Sequence, residues 1–179
     1  MRLEIIQKKS LEQALVDFIK GEILEGDNAY FCDKCDKKVK ALKRVCVKEL
    51  PNVLILTLKR FEFNFDTMER FKLNSFCEFP EELDMLPYMR ETLFQDEEKL
   101  PPENYKYVLK GVLIHYGISE AGHYTSYVKT AENEWKYFDD EKISDFDTSE
   151  LGNECFGGIE ENPYGDDEDK LKNAYILFY

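Results

Sequence analysis

Four short runs rich in aromatic and β-branched residues, separated by polar or glycine-containing turns, dominate the second half of the chain. Residues of these types at this spacing predict strands rather than helices. The four runs cover residues 107–116, 124–129, 135–138 and 174–179. Because strands that follow one another across short turns pair antiparallel, the sequence predicts an antiparallel sheet.

One helix is predicted near the amino terminus. Ser10 followed by Gln13 matches a capping box, and apolar residues recur from Leu11 to Ile19 at helical spacing. The pattern predicts a short amphipathic helix that ends near Gly21.

The apolar run 53–58 is too short for an isolated helix and predicts a strand that is buried on both faces at the centre of the sheet. Residues 76–79, just before Pro80, form a weaker candidate strand. A second short helix is predicted near residues 148–151. The fold class is therefore α+β, with an antiparallel sheet as its main element.

A Cys-x-x-Cys pair, Cys32 and Cys35, precedes an alternating apolar pattern that runs from Val39 to Val47. The pattern predicts a cysteine-bearing turn that leads into a strand with one solvated face. A structural zinc site takes four ligands, and neither Cys46 nor the two histidines offer suitable spacing. The pair is therefore either half of a zinc site or two ordinary reduced thiols.

The charge of the chain argues against two classes of partner. With 37 acidic and 24 basic side chains, the net charge is −13, which repels phosphate backbones and anionic lipid. The sequence contains no apolar run long enough to span a membrane and no signal-like amino-terminal stretch. We therefore expect neither nucleic-acid nor membrane binding. Two acidic stretches, about residues 91–103 and 160–170, are predicted to be exposed loops.

Length and cysteine content indicate the kind of protein and its compartment. At 179 residues the chain can bury one sizeable core, so we expect one domain or a large piece of one. Five cysteines, an odd number, fit a reducing compartment better than a disulfide framework. We expect a soluble protein of the cytoplasm, with the nucleus as a second location.

His123, between Gly122 and Tyr124 at the start of a predicted strand, is the first candidate for catalysis. The next predicted strand ends in Asp139 and Asp140. If the two strands are neighbours, a carboxylate can orient the imidazole, as the acid of a Cys-His-Asp triad does. The alternative is a structural histidine and two aspartates that begin a turn.

Several motifs together resemble one enzyme family. Segments 122–127 and 135–140 resemble the histidine box of the ubiquitin-specific proteases, and Leu58-Lys59-Arg60-Phe61 resembles their buried strand before the ubiquitin-binding cleft. Further segments are similar to the fat-facets-like branch, namely residues 25–35, 79–85, 154–158 and 173–179.

This resemblance implies a papain-like cysteine protease with thumb, palm and fingers. The chain would be the carboxyl-terminal portion of that domain, with about residues 1–50 forming the fingers and helix part and about 51–179 forming the antiparallel palm with the histidine box. It also implies hydrolysis of isopeptide bonds at the carboxyl end of ubiquitin. Ubiquitin and ubiquitinated proteins would be its partners, and catalysis would need no cofactor.

The resemblance also implies a role for each matching residue. His123 would be the general base, Asp139 would orient it, and Asp140 would help to position the oxyanion region. Gly122 and Tyr124 would line the narrow channel for the ubiquitin tail. The Phe61 ring would pack on that tail. Cys32 and Cys35 would bind a structural zinc ion together with a second Cys-x-x-Cys pair upstream.

The family's nucleophile segment, a Gly-x-Thr-Cys-Tyr-like sequence, has no counterpart among these residues. Three interpretations follow. The chain is part of an active deubiquitinating enzyme whose nucleophile lies upstream of Met1, or it is a catalytically inactive ubiquitin-binding or scaffolding module. The third is a structural all-β interaction domain.

Overall fold

The computed structural model describes residues 1–94, 99–162 and 165–179. Within them lie three short α-helices, α1 (Leu11–Lys20), α2 (Arg90–Phe94) and α3 (Leu151–Cys155). The strands are β1 (Arg2–Leu3), β2 (Glu22–Leu24), β3 (Tyr30–Cys32), β4 (Lys37–Val39), β5 (Ala41–Lys43), β6 (Ile55–Leu58), β7 (Phe61–Asn64), β8 (Glu69–Lys72), β9 (Glu82–Asp84), β10 (Lys106–Val108), β11 (Gly111–Gly117), β12 (Gly122–Lys129), β13 (Trp135–Asp139), β14 (Lys142–Asp145), β15 (Ile159–Glu160), β16 (Glu168–Asp169) and β17 (Lys172–Phe178). No described helix is long and apolar enough to cross a membrane.

A seven-stranded sheet in the order β1-β6-β17-β11-β12-β13-β14 organises the chain. Its pairs are antiparallel except the first, in which β1 runs parallel to β6. The antiparallel sheet predicted from the sequence is therefore confirmed, with one parallel strand added at its edge. The middle strand is β11, which is held by β12 on one side and by β17 on the other.

The prediction that residues 53–58 form the centre of the sheet is wrong. Strand β6 lies second from the edge, between β1 and β17. Leu56 and Leu58 are fully buried, whereas Ile55 on the other face is 45% exposed. A continuous apolar run does not by itself distinguish a strand that is buried on both faces from one that is buried on a single face.

One face of the sheet packs against α1 to form the core. The helix begins after Ser10, whose Oγ accepts a hydrogen bond from the backbone N–H of Gln13 at 3.3 Å. It ends at Gly21, which has a φ of 75°. The predicted helix is thus confirmed. Its buried side chains are Leu11, Ala14, Leu15 and Ile19, and burying each leucine contributes about 1.5–3 kcal/mol.

The described residues also form five two-stranded antiparallel sheets, and two of these correct the sequence analysis. The alternating pattern from Val39 to Val47 does not form one strand, because the chain breaks at Lys40 into β4 and β5. These two strands pair with β3 and β2, respectively. Alternation along the chain shows which side chains share a face, but not where the strand changes partner.

Other predicted elements also differ in detail. Residues 76–79 form no strand, and Glu78 makes only an isolated bridge with Ser10. The predicted strand 107–116 is split between β10 and β11. The second helix is confirmed as a 3₁₀ turn (Thr148–Glu150) followed by α3.

The two predicted acidic loops are only partly loops. Residues 91–94 of the first belong to α2, and residues 102–105 form a 3₁₀ turn. The second contains the short strands β15 and β16. Parts of both, residues 95–98 and 163–164, lie outside the described residues.

Candidate active site

The structure places His123 beside the two aspartates that end the next strand. Strands β12 and β13 are antiparallel neighbours, with Ser126 opposite Phe138. His123 Nε2 lies 2.6 Å from Asp139 Oδ1 and 3.9 Å from Asp140 Oδ2. Asp140 has a φ of 51° and also starts the tight turn into β14. The sequence left two alternatives, a carboxylate that orients His123 or two aspartates that begin a turn. Both features occur together in the structure.

This contact sets the protonation behaviour of the imidazole. The hydrogen bond with Asp139 raises the pKa of His123, and the negative charge of Asp140 adds to the effect. Because Nε2 is held by Asp139, the other ring nitrogen, Nδ1, is left for a different partner. An imidazole oriented in this way can accept a proton at Nδ1, as a general base must.

Replacing Asp139 with asparagine is expected to lower the pKa of His123 toward the ordinary value of about 6.5, because an amide oxygen carries no negative charge. The chain has only two histidines, so an NMR titration resolves both imidazoles.

The pair of His123 and Asp139 should stabilise the fold more in acid than in base. A raised pKa makes this contribution fully present below the unfolded-state pKa, and it is lost as pH rises through the folded-state value.

Asp140→Asn serves as the matched control. Its carboxylate is farther from the ring, so we expect a smaller fall in the pKa of His123. An unchanged titration in Asp139→Asn would mean that the hydrogen bond does not form in solution.

Position 122 requires glycine because neighbouring atoms come very close to it. The sequence indicated such a close approach but not which residues make it. A Cβ atom at this position would lie 2.2 Å from His115 Nε2 and 2.7 Å from the carbonyl oxygen of Tyr116. His115 is only 4% exposed, and burial, followed by the charge of Lys72, lowers its pKa. A neutral imidazole therefore occupies the space that any side chain at Gly122 would need.

The double variant Gly122→Ala, His115→Ala should lose less free energy of unfolding than the two single variants lose when their losses are added. Gly122→Ala alone is expected to cost about 1–3 kcal/mol, because overpacking displaces the ring or the strand. Without the His115 ring, the closest contacts are removed but the 2.7 Å contact with the backbone oxygen of Tyr116 remains, so part of the cost is relieved. A double-mutant cycle by urea denaturation should give a coupling of about 0.5 kcal/mol or more.

Gly111→Ala is the control for this cycle. Gly111 is a buried glycine of the same sheet, whereas Gly122 is exposed, and the nearest contact for a Cβ atom at Gly111 is 3.5 Å, an ordinary packing distance. We expect a smaller loss of stability there. Additive effects of the Gly122 and His115 substitutions would contradict the proposed clash.

An aromatic groove lies next to Gly122. The ring of Phe61 packs edge-on against His115 at 5.0 Å and against Tyr175 at 5.2 Å, and Tyr124 also contacts His115 at 5.0 Å. Phe61 and Tyr124 line a cavity of about 550 Å³, within the usual size range of ligand sites. Tyr124 and Phe61 therefore meet at this cavity, and Gly122 lies two residues before Tyr124 on β12. The family resemblance assigned all three residues to substrate binding.

Sequence reasoning missed His115 and Tyr175, whose rings pack against Phe61. The only signal for His115 was its position in an apolar run, which is equally typical of a core residue. Its importance depends on contacts across strands.

The five cysteines are all free, and none lies within hydrogen-bonding distance of His123. Burial raises the pKa of Cys77 to about 11 and also raises the pKa of Cys155. Buried thiols with raised pKa values are poor nucleophiles. The residues that the structure describes therefore contain an imidazole held by a carboxylate but no thiol next to this pair.

Cys32 and Cys35 lie on the hairpin formed by β3 and β4. The backbone N–H of Cys35 donates to the carbonyl of Cys32 at 3.1 Å, and backbone hydrogen bonds from Cys35 and Lys34 lower the pKa of the Cys32 thiol. No third cysteine, histidine or carboxylate joins the pair among the described residues. The pair fits two of the four positions of a structural zinc site, so it is not a complete site by itself.

The ligand atoms of His123, Asp139 and Asp140 also lie within 4.8 Å of one another. A tetrahedral zinc ion about 2.0–2.2 Å from each atom would hold a nitrogen and an oxygen about 3.3 Å apart. The observed 2.6 Å between His123 and Asp139 is instead a direct hydrogen bond. The geometry therefore favours a base and its orienting acid over a metal centre.

Comparisons with known proteins agree on one family. Residues 8–179 match the family model described as ubiquitin carboxyl-terminal hydrolase. The chain is 38% identical to the probable ubiquitin carboxyl-terminal hydrolase FAF of Drosophila melanogaster, over 99% of this chain and 7% of that protein. It is 34% identical to human ubiquitin carboxyl-terminal hydrolase 34, over 100% of this chain and 6% of that protein.

Among solved structures, the chain is similar to one in the SAGA Ubp8/Sgf11/Sus1/Sgf73 DUB module bound to ubiquitin aldehyde. The TM-score is 0.75 at 31% identity, covering 99% of this chain and 34% of that one. The same module bound to monoubiquitin gives the same values. The chain thus spans about a third of the solved chain and less than a tenth of the curated relatives.

Proposed function

Because the chain belongs to the ubiquitin carboxyl-terminal hydrolase family, we propose that it supplies the general base of a thiol-dependent deubiquitinating enzyme. The observation that carries this proposal is the 2.6 Å hydrogen bond between His123 and Asp139. The chain is then the carboxyl-terminal portion of one catalytic domain, in which about residues 1–50 supply the fingers part together with the helix, and about 51–179 supply the palm, whose sheet β1 joins at its edge.

In this mechanism His123 Nδ1 takes the proton of a cysteine thiol, and Asp139 stabilises the imidazolium that forms. The thiolate attacks the carbonyl carbon at the end of ubiquitin, and the amine of the substrate leaves with a proton from His123. Water, deprotonated by the same histidine, then releases ubiquitin from the acyl-enzyme. Asp140 helps to position the oxyanion region, and no cofactor takes part.

The nucleophile comes from a segment outside these 179 residues. One face of the central sheet supports this. Six residues, one from each of six neighbouring strands, lie in register on that face, and none of them is fully buried. These residues are Thr57, Ile176, Leu113, Ser126, Phe138 and Ile143. Thr57 and Ser126 are polar, but the other four side chains are apolar and Ile143 is 63% exposed, so a second part of the domain would cover this face.

Ubiquitin is the proposed substrate, and ubiquitinated proteins are the proposed partners. The pocket lined by Phe61 and Tyr124 supports this, because the two rings offer aromatic faces to a peptide tail and Tyr124 is the residue after His123 on β12. The similar solved chains are described as bound to ubiquitin aldehyde and to monoubiquitin. The net charge of −13 supports excluding nucleic acid and anionic membranes.

Two further parts of the proposal concern the cysteines. Cys32 and Cys35 would be half of a structural zinc site whose other two ligands come from the same outside segment. Because all five cysteines are free, a reducing compartment such as the cytoplasm or nucleus is the proposed location.

An electrophilic ubiquitin probe that traps active-site thiols tests the function. We expect no labelling of residues 1–179 alone and labelling of a form extended upstream. The label should disappear in His123→Ala. Labelling of the short chain, lost on changing one of its own cysteines, would overturn the assignment of the nucleophile to another segment.

A second candidate is a catalytically inactive ubiquitin-binding module, which the absence of a cysteine beside His123 favours. Binding of ubiquitin by both forms, with labelling of neither, would support this candidate over the enzyme.

A further inference from the structure

We propose that Lys72 is a positioning residue for His123, acting through the backbone turn that leads into β12. The inference rests on the proposed function, because the base of that reaction is the side chain that the turn positions. Lys72 is the last residue of β8 and lies opposite Phe61 in the hairpin formed by β7 and β8.

The ammonium group of Lys72 gathers three backbone carbonyls from two segments. Its Nζ donates to the carbonyl oxygens of His115 and Gly117, each at 3.1 Å, and to that of Leu171 at 2.5 Å. His115 and Gly117 end β11, whereas Leu171 immediately precedes β17. One side chain therefore joins the hairpin to the ends of two strands of the central sheet.

All three donors of this ammonium are used by backbone oxygens. No carboxylate in the described parts of the chain forms an ion pair with Lys72. Burial, and next the charge of Arg60, lowers the pKa of Lys72 to about 8, which means that holding a cation here costs free energy. The carbonyls offset that cost, so the contacts of this lysine serve backbone position rather than charge pairing.

The turn between β11 and β12 depends on these contacts. Gly117 has a φ of 127° and lies opposite Gly122, so the turn leads directly to His123. Within the turn the N–H of Ile118 donates to the carbonyl of Ala121 at 2.9 Å. A second link to the same hairpin comes from Ser119, whose Oγ donates to the carbonyl of Arg70 at 2.9 Å.

A shift of this turn would move the imidazole directly. His123 is the first residue after Gly122, and it lies opposite Tyr116 on the neighbouring strand. The two residues that flank Tyr116 in the chain are the ones whose carbonyl oxygens Lys72 binds. Its hydrogen bond with Asp139 is only 2.6 Å long. Displacement of a catalytic group by about 1 Å can cost on the order of 100-fold in rate.

The test compares Lys72→Met with Lys106→Met, an exposed lysine of β10. In Lys72→Met the pKa of His123 should fall toward about 6.5, because the bond to Asp139 is lost. Removing a nearby positive charge without displacement would instead raise that pKa. The direction of the shift therefore separates positioning from simple electrostatics. Lys106→Met should leave the titration unchanged.

Kinetics on the form that carries the nucleophile complete the test. We expect kcat to fall at least 10-fold in Lys72→Met with KM within about twofold of the parent, and Lys72→Arg, which keeps charge and donors, to recover part of the loss. If Lys72→Met does not fold, Lys72→Gln is measured in the same way.

The outcomes separate this inference from the proposed function. An unchanged or raised pKa of His123, or an unchanged kcat, in a folded Lys72 variant overturns the positioning role. A parent protein that hydrolyses no ubiquitin conjugate overturns the proposed function instead, and the NMR titration still decides whether Lys72 positions His123.

Discussion

Replacing His123 with alanine is expected to lower turnover of a ubiquitin conjugate by about 10³- to 10⁴-fold in the form that carries the nucleophile. His123 is the imidazole that Asp139 orients, and the other histidine, His115, is buried beneath Gly122. Without a base, the cysteine thiol stays protonated and the leaving amine receives no proton.

Binding of ubiquitin should persist in the same variant, because the groove at Phe61 and Tyr124 does not include the imidazole. Steady-state hydrolysis of a fluorogenic ubiquitin conjugate gives the loss of turnover, and calorimetric titration with ubiquitin gives the affinity. Val128→Ala, on the same strand at an exposed position, is the control and should retain full activity. A His123→Ala protein that keeps more than about a tenth of the parent kcat would contradict the assignment of the base.

Arg60→Met is expected to lower the free energy of unfolding by about 3 kcal/mol or more. The Arg60 side chain is fully buried. Its Nε donates to the carbonyl of Ala174 at 2.6 Å, and Nη1 donates to those of Leu73 and Ser75 at 2.9 and 3.0 Å. Methionine keeps much of the apolar stem but leaves three carbonyls without this donor.

The size of this effect follows from two opposing terms. Each buried carbonyl left unpaired costs about 1–3 kcal/mol. Burial lowers the pKa of Arg60 to about 10, whereas Cys77 has a smaller, opposite effect on this pKa. A buried cation is therefore costly here, and removing it recovers part of that cost. We expect the loss of hydrogen bonds to dominate, because three carbonyls depend on one guanidinium.

Urea denaturation measures this loss, with Arg2→Met as the control because Arg2 is exposed on the edge strand β1. The control should change stability by less than about 0.5 kcal/mol. A loss below about 1 kcal/mol for Arg60→Met would show that the three carbonyls find other partners or water.

The elements with local signals could be predicted from the sequence alone. Helix α1 follows from the side chain of Ser10, which caps the helix, and from apolar residues at helical spacing. Strands β12 and β13 follow from aromatic and β-branched runs on both sides of a short turn. Because two such strands pair as neighbours, the approach of His123 to Asp139 could be predicted before any tertiary contact was known.

Contacts between distant segments could not be predicted in this way and follow from the folded structure. The order of the sheet, which puts β11 rather than β6 in the middle, depends on pairing with β17 from the far end of the chain. The same holds for Lys72, which is 99 residues from Leu171, and for Arg60, which is 114 residues from Ala174. Periodicity reports only which face of its own helix or strand a residue occupies. A buried cation that binds backbone carbonyls depends on where other strands end, and no pattern along the chain contains that information.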